Sequence, residues 1–115
     1  MFDLSGKTAL VTGASGGIGA DIARALHGQG ATVGLSGTRE APLKALAAEL
    51  GDRAHVLPCN LSDPESVAAL PKMAAEAMGS VDILVNNAGI TRDNLLMRMS
   101  DDEWASVLQV ILRRL

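Results

Sequence analysis

The feature that most constrains the fold of this chain is the alternation of short apolar runs with segments of helical periodicity. The runs lie at residues 8–12, 32–36, 55–57 and 81–85. They lack polar alternation, as is typical of strands buried on both faces of a parallel sheet. The helical segments begin near Gly17, Pro42, Ser62 and Ser100. This βαβαβαβα pattern predicts an α/β fold in which helices cover both faces of a parallel sheet.

Two of the predicted helices carry distinctive terminal or interior residues. Ser62 and Glu65 form a capping-box pattern, which predicts Ser62 as the N-cap of the third helix. Pro71 lies inside that helix and is expected to kink or shorten it, at a cost of roughly 3 kcal/mol. The last helix presents an apolar stripe from Trp104 to Leu115.

Composition excludes several functional classes. The formal net charge is −3 with no basic block, so the electrostatic pattern of a nucleic-acid binder is missing. The single cysteine, Cys59, and the two histidines, His27 and His55, do not have the spacing of a metal site. No apolar run is long enough to cross a bilayer and no secretory leader is evident, so we expect no membrane association and a cytoplasmic location.

A glycine-rich turn follows the first predicted strand directly. It reads Thr12-Gly13-Ala14-Ser15-Gly16-Gly17-Ile18-Gly19 and opens the first helix. Glycines allow close backbone approach and the helix start offers free amides, so the turn suits a pyrophosphate. Glycines can also serve only to make a turn. A nucleotide triphosphate loop would need Lys followed by Ser or Thr, but Ala20-Asp21 stands there, which disfavours triphosphate hydrolysis.

Two motifs in order make a family resemblance specific. Thr12-Gly13-x-x-x-Gly17-x-Gly19, followed by Asn86-Asn87-Ala88-Gly89 after the fourth strand, resembles the short-chain dehydrogenase/reductase family. The opening of the chain and residues 89–99 look like the 3-oxoacyl-acyl-carrier-protein reductases of fatty-acid biosynthesis. The resemblance covers residues 1 to about 110. It implies a partial Rossmann domain with strand order 3-2-1-4.

The resemblance also implies a cofactor site. Its phosphate turn would consist of Gly13, Ser15, Gly17, Ile18 and Gly19. The adenine would be flanked by Asn60 and Leu61, and the cofactor lined by Asn86, Asn87, Ala88 and Gly89. Thr38 and Arg39 follow the second strand where an acidic residue would select NAD, so NADP is the expected cofactor. Glu40 and the non-basic Gly16 weigh against that choice, and Arg39 can also be read as a solvated loop charge.

The catalytic residues that the resemblance implies are missing from this sequence. The family uses Tyr as proton donor, with Lys, Ser and a relay Asn, but the chain contains no tyrosine and reads Val110-Ile111-Leu112 where Val-Asn-Leu is expected. We therefore expect no catalytic residue in this chain, and a C-terminal catalytic half that is absent from residues 1–115. NADPH and an acyl-carrier-protein thioester are the expected partners of the full-length parent.

Three hypotheses remain open from the sequence. The chain is either the cofactor-binding portion of a reductase or a free-standing module that binds NADP, or merely dimerises, without catalysis. An unrelated flavodoxin-like receiver has little support, because acidic residues do not cluster at the strand ends. In the first two cases we expect the fourth strand to be an open sheet edge. A homo-oligomer is then expected, formed through that edge or through the Trp104–Leu115 stripe, unless the stripe packs on its own sheet.

Overall fold

A computed structural model describes residues 3–60, 63–86 and 95–98 of the chain. Strands and helices alternate up to residue 86, as the sequence predicts. The elements are β1 (Thr8–Val11), α1 (Gly17–Gly28), β2 (Thr32–Gly37), α2 (Glu40–Leu50), β3 (Ala54–Pro58), α3 (Pro64–Met78), β4 (Ile83–Asn86) and β5 (Leu95–Arg98).

The sheet has the strand order β3-β2-β1-β4-β5. The β1–β2, β2–β3 and β1–β4 pairs are all parallel, and Leu10 of β1 lies beside Gly34 of β2 and Leu84 of β4. The predicted 3-2-1-4 order is confirmed. The chain reverses its direction of progress across the sheet between β1 and β4, which is where doubly wound folds bind ligands.

Successive residues of β1 enter two separate hydrophobic cores. Ala9 and Val11 belong to the cluster packed under α1 and α2, which includes Leu43. Leu10 belongs to the opposite cluster, with Leu70 of α3. All five side chains are fully buried. The apolar runs therefore mark strands that are buried on both faces, and the carboxyl edge of the sheet is held in place from both sides.

The expectation that β4 forms an open edge is wrong. The backbone of β5 pairs with β4 in antiparallel register, from Ile83 opposite Arg98 to Asn86 opposite Leu95. A short apolar segment that returns after β4 satisfies the hydrogen-bonding groups that would otherwise be exposed. The fourth predicted helix and its Trp104–Leu115 stripe lie outside the described residues.

Helix α3 differs from its prediction in two respects. Its N-cap is Asp63, one residue after the predicted Ser62, and the Asp63 carboxylate accepts a hydrogen bond from the backbone N–H of Glu65 at 3.1 Å. Pro71 does not end the helix, which continues to Met78. The Pro71 ring is buried, and its packing offsets part of the lost backbone hydrogen bond.

A hydrogen-bond network joins β1 to the start of β4 at the amino end of the sheet. The Thr8 hydroxyl donates to the Ser80 carbonyl at 2.7 Å, and the Thr8 N–H donates to the Asp82 carboxylate at 2.9 Å. The Asp82 N–H is 3.1 Å from the Thr8 hydroxyl oxygen. These contacts fix the register of the two strands far from their carboxyl ends.

Within the described ranges, no helix is both long and apolar enough to cross a membrane.

Candidate cofactor site

The β1–α1 turn has the backbone geometry that only glycine adopts easily. Gly13 and Gly17 have positive φ angles of 66° and 58°, in the left-handed region that disfavours residues with a Cβ. A Cβ built on Gly16 or on Gly17 would meet no atom within 4 Å. The space beside the turn is therefore open to a ligand.

The N-terminus of α1 is free to receive an anion. Its N-cap is Gly16, no side chain caps it, and its first turn contains no acidic residue. The backbone N–H groups of the first turn of a helix lack intrahelical partners and carry the positive end of the helix dipole. By contrast, the N-terminus of α3 is already occupied by Asp63.

Two hydrogen bonds hold this turn against the neighbouring strands. The Ala14 N–H donates to the Ser36 carbonyl of β2 at 2.9 Å, and the Thr12 N–H donates to the Val85 carbonyl of β4 at 3.0 Å. The turn is thus fixed between the two strands that flank β1. Its amides are positioned before any ligand arrives, which lowers the entropy lost on binding.

A cavity of about 120 Å³ lies at the carboxyl ends of β1, β2 and β3. It is lined by Thr12, Gly13, Ser15, Ser36, Gly37, Thr38 and Cys59. Thr12, Ser36 and Cys59 are at most 3% exposed, whereas Thr38 is at the surface. The cavity therefore has a buried polar floor beside the glycine turn, which suits the adenosine part of a nucleotide.

The loop after β3 forms one wall of this cavity. The Cys59 N–H donates to the Gly37 carbonyl at 2.9 Å, and the Asn60 N–H donates to the Ser66 hydroxyl oxygen at 2.9 Å. Burial raises the pKa of the Cys59 thiol, the hydrogen bond with Ser66 lowers it, and the Asp63 charge raises it, so the net shift is upward. Cys59 is therefore a neutral thiol at pH 7, which suits a wall residue rather than a nucleophile.

Two exposed side chains lie near the glycine turn and the end of β2. Arg39 is the N-cap of α2, just after β2, and its side chain is exposed. Ile18, in the first turn of α1, is 63% exposed and is the one large hydrophobic side chain found exposed among the described residues. An apolar side chain left in water beside the turn can be covered by a bound ligand.

The structure brings most of the sequence-predicted residues to one edge of the sheet. They are Gly13, Ser15, Gly17, Ile18, Gly19, Thr38, Arg39 and Asn60. Leu61, Asn87, Ala88 and Gly89 lie outside the described residues, so their predicted roles stay predictions. Ser36 and Cys59 also line the cavity, although neither was among the predicted site residues. Only their positions in the sequence could have indicated them, because Ser36 ends a buried apolar run and Cys59 directly follows a strand.

A larger groove of about 370 Å³ runs between α1 and α2, from Gly16 to Glu49. At its far end the Arg24 guanidinium donates to the Glu49 carboxylate at 2.7 Å and to Asp21 at 2.9 Å. The contact with Glu49, and to a smaller extent that with Asp21, raises the pKa of Arg24. The Arg24 guanidinium in turn lowers the pKa of Glu49. With its charge matched by two carboxylates, Arg24 is not available to an anionic ligand. In the described part of the chain, no group of three His, Cys, Asp or Glu residues could hold a metal ion.

Comparison with known protein families identifies the class. The family described as short chain dehydrogenase matches residues 7–113. The chain belongs to this family. Nodulation protein G from Rhizobium sp. (strain N33) is 61% identical over 112 residues, which are 97% of this chain and 46% of that protein. The 3-oxoacyl-[acyl-carrier-protein] reductase FabG from Vibrio harveyi is 51% identical over 110 residues, 96% of this chain and 45% of that protein.

Solved structures show the same fold. The 3-ketoacyl-(acyl-carrier-protein) reductase from Brucella melitensis, complexed with NADH, matches with a TM-score of 0.69 and 35% identity over 71% of this chain and 34% of that one. The Pseudomonas aeruginosa RhlG/NADP active-site complex matches with a TM-score of 0.71 and 38% identity over 78% and 37%. This chain thus spans a little under half the length of its curated relatives.

Proposed function

We propose that this chain binds a nicotinamide dinucleotide at the carboxyl edge of its sheet. The observation that carries the proposal is the uncapped N-terminus of α1 behind a turn of open glycines. The diphosphate would be held by the amides of residues 16–19 at the start of α1, and the adenosine would lie over the cavity floored by Ser36 and Cys59. Two related structures that match this fold are described as complexes with NADH and NADP.

NADP is the cofactor that we propose in preference to NAD. Among the described residues, no acidic side chain lines the cavity where it would accept the ribose 2′-hydroxyl. Thr38 and the exposed Arg39 follow β2 instead, and a guanidinium there favours a 2′-phosphate. Glu40 opposes this effect in part, although its carboxylate is 3.4 Å from the Lys44 ammonium.

We further propose that the bound cofactor serves the reduction of 3-oxoacyl thioesters on acyl-carrier protein. Support comes from relatives named as 3-oxoacyl-[acyl-carrier-protein] reductase, which are 49–51% identical to this chain. Other relatives are named Nodulation protein G and are 55–61% identical to this chain. The nicotinamide would supply a hydride to the carbonyl. The chain's own residues would bind and orient the cofactor.

The 115-residue chain by itself is expected to bind the cofactor without turning it over. Carbonyl reduction needs a proton donor within hydrogen-bond reach of the substrate oxygen. The chain has no tyrosine, which is the residue that the family uses as proton donor. Activity of the 115-residue chain with NADPH and a 3-oxoacyl thioester would contradict this expectation.

A module that binds NADP or assembles without catalysis is the second candidate function. The observation that favours it is β5, which has no strand beyond it within the described residues. An edge strand of apolar sequence can pair with a second copy. A homo-oligomer is then expected in size-exclusion chromatography with light scattering. A monomer at high protein concentration would contradict this assembly. The cytoplasmic location stays a prediction.

Calorimetric titration with NADPH tests the proposed function. The informative variant is Gly17→Asp, which places a carboxylate where the diphosphate would lie and should weaken binding more than about tenfold through bulk and like charge. Gly51→Asp is its matched control. Gly51 also has a positive φ, 79°, with no atom within 4 Å of a Cβ, but it ends α2 before β3, at the opposite edge of the sheet.

The two variants separate binding from folding. An aspartate is strained at either position because both have a positive φ. A loss of fold stability alone would therefore weaken NADPH binding in both variants. The proposal predicts that Gly51→Asp binds NADPH within about twofold of the unchanged chain. No heat of binding with the unchanged chain, or equal binding by all three proteins, would overturn it.

A further inference from the structure

We propose that Ser66 is the positioning residue for the adenosine half of the cofactor, because it holds the loop after β3 in place. The inference rests on the proposed function, since it names how one wall of the same site is kept rigid. Ser66 lies in the first turn of α3, outside the cavity lining. It would act through Asn60 and Cys59 rather than by touching the ligand.

Three hydrogen bonds link the described residues of this loop to their surroundings. The Cys59 N–H donates to the Gly37 carbonyl of β2, and the Asp63 N–H donates back to the Asn60 carbonyl at 3.0 Å. The third bond joins the Asn60 N–H to the Ser66 hydroxyl oxygen at 2.9 Å. The first two bonds link backbone atoms and survive any side-chain substitution. The third depends on the Ser66 side chain.

Ser66 contacts the first exposed residue of the loop. Its hydroxyl oxygen accepts the Asn60 N–H at 2.9 Å. Asn60 is exposed, whereas Cys59, the residue before it, is 3% exposed and lines the cavity. One half-buried hydroxyl thus fixes the backbone directly after the last buried residue of this wall.

The position of this hydroxyl is itself fixed by the helix. Asp63 caps α3 through the Glu65 N–H. The first turn of α3 is therefore stabilised by a hydrogen bond that does not involve Ser66 or Asn60. The adenosine half of a dinucleotide would lie against this wall, because ligands of doubly wound folds bind beyond the carboxyl ends of the strands. Loss of the Ser66 hydroxyl would make this wall more mobile. It would weaken the binding of the adenosine half of the ligand only.

The test compares Ser66→Ala with Thr8→Val in the 115-residue chain. Both variants remove one side-chain hydroxyl that bridges two segments, but Thr8 acts at the amino end of the sheet. NADPH and 2′,5′-ADP, which carries the adenosine half without the nicotinamide, are titrated calorimetrically. Ser66→Ala should raise both dissociation constants by the same factor, about three- to tenfold. Thr8→Val should leave both within about twofold.

A local readout distinguishes positioning from a general loss of structure. Amide hydrogen exchange followed by NMR should show faster exchange of the Asn60 N–H in Ser66→Ala, with unchanged exchange of the Ala14 N–H in the glycine turn. Unchanged dissociation constants or unchanged Asn60 exchange would overturn the role of Ser66. So would an equal loss of binding in Thr8→Val. Failure of the unchanged chain to bind either ligand would instead overturn the proposed function on which this inference rests.

Discussion

Ser15 and Gly37 are packed so closely that a Cβ added to Gly37 would lie 3.3 Å from the Ser15 Oγ atom and 3.4 Å from its Cβ. The first residue belongs to the glycine turn after β1, and the second ends β2. Both line the same cavity. The absence of a side chain at position 37 is therefore what lets the turn and the end of β2 form one continuous surface.

Substitution of Gly37 by valine should weaken NADPH binding. The added branched side chain would displace Ser15 or fill the cavity, and overpacking of this kind costs about 1–3 kcal/mol. We expect the dissociation constant for NADPH to rise at least about fivefold in a calorimetric titration. Gly28→Val is the control, since Gly28 lies in α1 with no atom within 4 Å of a Cβ. Equal affinity of both variants would contradict the proposed ligand position.

Removal of the Arg39 charge should reduce the preference for NADPH. We expect Arg39→Ala to weaken NADPH binding about three- to tenfold at low salt and to leave NADH binding nearly unchanged, because only NADPH carries the 2′-phosphate. Lys7→Ala is a matched control, since Lys7 is also an exposed cation but lies just before β1, at the amino end of the sheet. Parallel changes in NADPH and NADH affinity in Arg39→Ala would show that this guanidinium does not select the cofactor.

The Thr8 network should contribute to stability and not to binding. Thr8→Val removes a hydroxyl that bridges Ser80 and Asp82, which should lower the free energy of unfolding by about 1–2 kcal/mol in urea denaturation. The NADPH dissociation constant, measured where both proteins are folded, should stay the same. An unaltered urea midpoint would mean that these contacts add nothing to the β1–β4 junction.

Cys59 should react slowly with thiol reagents and should make the fold sensitive to alkaline pH. Burial raises its pKa above the ordinary value of 9.0. Its contribution to stability is therefore fully present below about pH 9 and is lost as the pH rises through the raised pKa of the folded state, because the unfolded chain ionises first. Cys59→Ser should lack this alkaline loss in urea denaturation across pH 8–11. Thiol labelling as fast as in the unfolded chain would contradict the burial.

The buried strands and the glycine turn could be predicted from the sequence because each rests on a local pattern with one physical cause, whereas the strand order was implied by the family resemblance. Fully buried strands such as residues 8–11 need a continuous apolar run, and a sharp strand-to-helix turn needs glycine at positions like Gly17. Strand β5 was missed because residues 95–98 form only a short apolar segment, and their pairing with β4 is visible only in the tertiary fold. The cap of α3 was misplaced by one residue because Ser62 and Asp63 are both good N-caps.

The candidate site was only partly predictable for a related reason. The turn at residues 13–19 and Arg39 follow strands in the sequence, so topology alone brings them together. Ser66 could not be found this way, since its role depends on a hydrogen bond to Asn60 that needs three-dimensional coordinates. The same holds for the contact of Ser15 with Gly37.

The most direct test of the account is an NMR titration of the ¹⁵N-labelled chain with NADPH. The account predicts that saturating NADPH shifts the backbone amide signals of residues 16–19 most strongly, because those N–H groups at the start of α1 would face the diphosphate. Smaller shifts should appear at Thr38 and Asn60. Shifts confined to the α1–α2 groove around Arg24 and Glu49, with the signals of the glycine turn unmoved, would contradict it.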